Sequence, residues 1–165
     1  MTERLSASDR PVPWGRPWAL LFSRLLLGLI FLMAGSWKVF SLGPLEHARR
    51  LFVEPYRDSF LPNWSLWATG AAIPVVELVA GAAVLIGLWR RSAYLALGGV
   101  LTIVTFGHLV AEPLYAFHTH VIPRWLLLTV LLLHSLKDDQ WSVDEWWATR
   151  NAPDDGATPL PTSQA

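Results

Sequence analysis

The chain has 165 residues, 53% of them hydrophobic and only 16% charged, more apolar surface than a soluble domain of this size can bury. It has no cysteine, which excludes disulfides, thiol catalysis, zinc–thiolate sites and iron–sulfur clusters. Thirteen Lys and Arg balance thirteen Asp and Glu, so the charge of a nucleic-acid binder is missing.

In chain order, residues 1–18 form a polar N-terminal segment with Pro11, Pro13 and Pro17. Four apolar blocks follow, and the expected spans are 19–40, 67–88, 93–114 and 121–136. A helix needs about 20 residues to cross a ~30 Å hydrocarbon core; the first three blocks reach that length and the fourth is shorter. The blocks are continuous and rich in Leu and Ala, without the period-2 alternation of a barrel strand. The fold class is therefore all-α, a polytopic membrane protein built as a four-transmembrane-helix bundle. Trp18, Trp37, Trp64, Trp67, Trp89 and Trp125 stand near block ends, where amphipathic rings meet the membrane–water interface. Block one is too long for a signal peptide and no A-x-A site follows it, so it is expected to stay as an anchor.

Between the first two spans, the stretch from Pro44 to Val53 reads as a short amphipathic helix on the membrane surface, with Leu45, Ala48, Leu51 and Phe52 on one face. After the fourth span comes a tail, 137–165. Ser142-Val143-Asp144-Glu145 is a capping-box pattern that opens a short helix over 142–150, and the remainder is expected to be disordered. Arg90 and Arg91 fill the tight turn between spans two and three, and Arg4, Arg10, Arg16, Lys137 and Arg150 fall on the same side. The positive-inside rule then gives N-in and C-in.

Ionisable side chains inside a membrane are costly and normally face the bundle interior. The candidate intramembrane polar site is Arg24, Lys38, Glu77, His108, Glu112 and Arg124. Arg24 and His134 lie near the inner ends, within snorkelling reach of water; Lys38, Glu112 and Arg124 lie near the outer ends, and Glu77 near the middle. Periodicity groups them. Arg24, Gly28, Phe31, Gly35 and Lys38 form one stripe, Gly70, Pro74, Glu77 and Gly81 a second, and Thr102, Thr105, His108 and Glu112 a third. Mixed small and polar stripes are what buried faces of membrane helices carry, so the three are expected to point at one another. Pro74 lacks an N–H and so frees the carbonyl of Gly70 one turn earlier. Glu77 is open to three roles: an ion pair with Lys38 or Arg124, a neutral acid raised in pKa by desolvation, or a ligand- and proton-handling group. The i,i+4 spacing of His108 and Glu112 lets the carboxylate orient the imidazole. His108 and His134 stand at different depths, which excludes two-histidine haem ligation. His118 and His120 are a weak metal pair, and no metal site is assigned. Phosphate-loop, hydrolase-triad, dinucleotide and H-E-x-x-H patterns do not occur.

The run Arg24-Leu25-Leu26-Leu27-Gly28-Leu29-Ile30-Phe31-Leu32-Met33-Ala34-Gly35-Ser36-Trp37-Lys38 resembles the first helix of the DoxX family. Pro74-Val75-Val76-Glu77-Leu78-Val79-Ala80-Gly81, through Gly87-Leu88-Trp89-Arg90-Arg91, resembles its second helix and basic turn, and the similar methylamine-utilisation protein MauE shares the layout. The resemblance covers about residues 20–136. It implies a small four-helix protein of the bacterial inner membrane, with Arg24, Lys38 and Glu77 at matching positions. Some relatives are subunits of quinone-linked oxidoreductases such as thiosulfate:quinone oxidoreductase, and others belong to membrane systems that handle oxidative stress. The expectation is an accessory subunit of such a system, with the lipid bilayer and oxidoreductase subunits as partners. It has no intrinsic cofactor, a quinone is the ligand to test, and it is not catalytic alone. Two rivals remain: a small-molecule or proton-coupled transporter working as a homo-oligomer, and a structural scaffold.

Overall fold

The structure is a computed structural model that describes residues 15–112, 119, 121–139 and 141–151. The N-terminal expectations before Gly15, the end of span three past Glu112, His118 and His120, the side chain of Lys137, and the tail beyond Asn151 lie outside the described residues. Within them the chain is helical. Helix α1 (Gly15–Ser36) runs on as a π-helical turn (Trp37–Leu42), and a short α2 (Pro44–Ala48) runs on as a second π-helical stretch (Arg49–Val53). Then follow α3 (Asn63–Ile86), α4 (Arg90–Ala111), α5 (Ile122–Asp138) and α6 (Val143–Arg150).

Three helical stretches, Gly15–Leu42, Asn63–Ile86 and Arg90–Ala111, are long and apolar enough to cross a membrane, and α5 is a shorter apolar helix that completes the bundle. Each long span starts about three to four residues earlier than the edges of its apolar block, since polar and aromatic residues join a helix that hydropathy alone does not count. Both ends of the described chain lie at one end of the bundle, the terminal end; residues 43–62 lie at the other, the loop end.

Among the described residues the antiparallel α1–α3 contact is the most extensive between two helices. A Cβ on Gly28 would meet the backbone of Leu85 at 2.8 Å, one on Gly81 the backbone of Leu32 at 2.5 Å, and one on Gly35 would overlap Leu78. Glycine at these three places lets two backbones touch, which gives dispersion contact where lipid supplies no hydrophobic force. Leu20, Leu27, Phe31, Ala80, Val84, Tyr94, Leu97 and Leu131 fill the core beside this seam.

The first two stripes form this seam, but the third does not. The buried face of α4 is Arg90, Ala93, Tyr94, Leu97, Val100 and Leu101; Thr102 and Glu112 are exposed and Thr105 is half-buried. The threonine hydroxyl need not seek a partner helix, because Thr102 Oγ1 donates to Gly98 O within its own helix at 2.8 Å. On α2, Leu45 and Leu51 are exposed, and the helix docks on α3 through His47 and Ala48.

At the terminal end, α3 stops at Gly87 in the left-handed conformation (φ 75°), with Leu88 N donating to Ala83 O at 2.9 Å. Glycine suits that conformation and ends the helix with its carbonyls satisfied. The chain then turns through Trp89, also left-handed (φ 46°), into α4. Ser142 caps α6, its Oγ accepting from Glu145 N at 3.2 Å.

Candidate functional site

Two polar clusters sit at opposite ends of the bundle. At the loop end, Lys38 Nζ donates to Glu77 Oε2 at 2.5 Å, with the Glu77 side chain 7% and the Lys38 side chain 21% exposed. The antiparallel register brings these two to one level, because Gly35 lies against Leu78 one turn below Lys38. Glu77, Lys38, His108 and Arg124 all line one cavity of about 130 Å³, closed by Phe31, Ala34 and Leu101. A second cavity of about 220 Å³ shares Lys38, Val104 and His108 with the first and adds His47, Phe52, Tyr56 and Ile73.

His47 was not singled out in the sequence. Its ring is buried, and its Nδ1 donates to Gly70 O at 2.7 Å. That acceptor is the carbonyl Pro74 frees, since a proline nitrogen carries no hydrogen to close the turn. Ala48, next to His47, reaches α3 only because Gly70 has no side chain; a Cβ there would meet Ala48 Cα at 2.6 Å. Burial pushes the His47 imidazole below its usual pKa of 6.5, with the Gly70 carbonyl pulling the other way. On the exposed side of α2, Arg49 and then Arg50 hold the Glu46 carboxyl down to about 2.

Two expected site residues fall elsewhere. Glu112 ends α4 in an extended conformation (φ −144°, ψ 94°) with its side chain exposed, and its described bond to His108 runs from its backbone N to His108 O at 2.7 Å. Arg24 belongs to the terminal end and does not snorkel; it is 2% exposed. Its Nε stands 3.1 Å from Asp139 Oδ2, a charge contact without hydrogen-bond alignment, while its Nη2 donates to Trp141 O at 2.7 Å. His134 is exposed, and Arg16 Nη2 donates to its Nδ1 at 3.1 Å.

The terminal cluster is a closing network. Asp139 takes Arg24 on one side and Arg90 Nη1 at 3.7 Å on the other. Ser135 Oγ donates to Asp139 Oδ2 at 3.2 Å, so its single proton is used and Tyr94 Oη must be the donor across the 3.0 Å Tyr94–Ser135 contact. Asp144 accepts from the backbone N of Trp89 at 3.0 Å and of Arg90 at 3.1 Å, capping α4 from 54 residues away. The sequence carries Arg24 in span one and Asp139 and Asp144 after span four, but nothing local says that the tail folds back.

Among the described residues no group of three His, Cys, Asp or Glu could hold a metal ion. What the loop-end cluster can do is present two cations, a carboxylate and two imidazoles around a small apolar-walled space. Fold and site together define a multi-pass helical membrane protein with an ion-paired polar site enclosed at one end of its bundle. The family described as methylamine utilisation protein MauE matches residues 16–121, from the start of α1 to just before α5. The chain belongs to the MauE family. Neither a curated protein nor a solved structure matches it.

Proposed function

We propose that this chain is an accessory membrane subunit of a quinone-linked oxidoreductase system, as in the DoxX-like relatives its first two helices resemble, and that its loop-end cavities hold the quinone head group. The supporting observation is the ion-paired Lys38 and Glu77 with His108 and Arg124 around one cavity that adjoins a second, of about 220 Å³. A cavity of about 150 Å³ admits benzene, so the larger one has room for a single ring. A groove of about 590 Å³ between α4 and α5 shares Leu101 and Val121 with the polar cavity and is lined by Phe106, Leu109, Ile122 and Trp125. An apolar tail lying in that groove would leave the head group beside the charges. In this reading electrons come from a partner subunit. The orientation that fits is N-in and C-in in a bacterial inner membrane, with the site facing the outer side.

Purification in mild detergent, identification of the co-purifying proteins, and solvent extraction of bound quinones test the reading. The expected result is about one quinone per chain and at least one redox protein. A lone chain with no quinone overturns it.

A further inference from the structure

The His47 ring has one nitrogen committed and one not. Nδ1 must carry a proton, because the Gly70 carbonyl it meets at 2.7 Å can only accept. Nε2 has no hydrogen-bond partner among the described residues, yet it is not one of the sealed unpartnered atoms, and His47 lines the 220 Å³ cavity. In the neutral ring Nε2 is a lone-pair acceptor. Nε2 opens on this cavity, so a donor that enters it can pair with the free lone pair.

We propose that His47 is the specificity-determining acceptor of the loop-end site: the Gly70 carbonyl freed by Pro74 locks its tautomer, and Nε2 accepts a hydrogen bond from a hydroxyl of a ring-bearing head group. This rests on reading the cavity as a quinone head-group site and deepens it by naming the preferred form, the hydroquinone. A hydroquinone places one O–H on Nε2 and can offer its other oxygen to the ammonium of Lys38, which lines the same cavity. A quinone has two carbonyl oxygens and no donor, so Nε2 stays unpaired. The charged and titratable groups facing His47 are Lys38 from the π-helical turn after α1, Glu77 from α3, His108 from α4 and Tyr56 from the loop before α3. The Lys38 ammonium disfavours a second ring proton, the Glu77 carboxylate favours one, and burial weighs most, against it.

The test uses the full chain in lipid nanodiscs, with decyl-ubiquinol and decyl-ubiquinone as probes under anaerobic conditions. The parent is expected to bind the quinol roughly tenfold tighter than the quinone, the scale of one net hydrogen bond. In His47→Asn the amide nitrogen stands where Nδ1 stood and keeps the Gly70 bond, but the acceptor is gone, so the preference should vanish. Nitrogen-15 NMR of the parent should report the Nδ1–H tautomer, and Pro74→Ala, which returns an N–H to Gly70 O, should lower both the tautomer bias and the preference. Equal binding of the two probes by the parent, an unchanged preference in His47→Asn, or an Nε2–H tautomer each overturns the role of His47 while leaving a head-group site standing. Binding of neither probe overturns both.

Discussion

At the scale of single residues, the two buried ion pairs differ in how far they are sealed from water. Glu77→Gln removes the anion that holds Lys38, and the fully sealed case costs about 3–5 kcal/mol. Lys38 keeps 21% exposure and can relax outward, so the expected loss is about 1–3 kcal/mol, read as a lower melting temperature in detergent. Adding Lys38→Met should recover part of it, and no recovery would mean that the two do not act as a pair. Glu112→Gln should change little, because that carboxylate is exposed past the helix end. Asp139→Asn is expected to be the more damaging change. The Asp139 side chain is 0% exposed and faces two arginines, so the full ~3–5 kcal/mol applies. A melting temperature equal to the parent's would refute the closing network.

At the scale of elements, the α1–α3 seam depends on backbone contact. Gly35→Ala puts a methyl group into the backbone of Leu78, and the helices must part or bend, a loss of about 1–3 kcal/mol. Gly99→Ala meets open space and serves as the control; if both variants melt together with the parent, the seam is not as tight as its geometry states. The docking of α2 carries a pH signature. His47 is depressed below 6.5, so its ring is neutral when docked. Below pH 6.5 the released imidazole binds a proton that the docked one does not. The stabilisation is therefore complete above 6.5 and is lost as pH falls through the lowered value. Melting curves between pH 7.5 and 5.5 should shift downward in the parent and stay flatter in His47→Asn. Glu46 has the same sign in a lower window, between its ordinary 4.5 and about 2, and so does not interfere.

At the scale of the whole molecule, both described ends of the chain meet at the terminal end, and the tail closes it by capping α4 through Asp144. The proposed orientation puts that end inside. The absence of cysteine makes labelling clean: Ser59→Cys should react with an impermeant maleimide in intact cells and Ser92→Cys should not. The opposite pattern would invert the topology and move the loop-end site to the inner face.

Composition and period alone determined that the chain is a helical membrane protein, roughly where its spans run, and that Gly28, Gly35, Glu77 and Gly81 are interior. These are local properties: hydropathy sets a span and 3.6-residue spacing sets a face. The Pro74 notch was legible too, because the missing N–H is covalent. What filled it was not. The pairing of Gly70 with His47, the level at which Lys38 meets Glu77, and the return of Asp139 and Asp144 to Arg24 and Arg90 join residues 23 to 115 positions apart. The polar stripe on α4 was legible only in part: His108 turns to the cavities, while Thr102 and Glu112 are exposed. Threonine in lipid satisfies its hydroxyl on its own helix, so polarity there does not require burial, and which face turns inward is decided by the helices that pack against it.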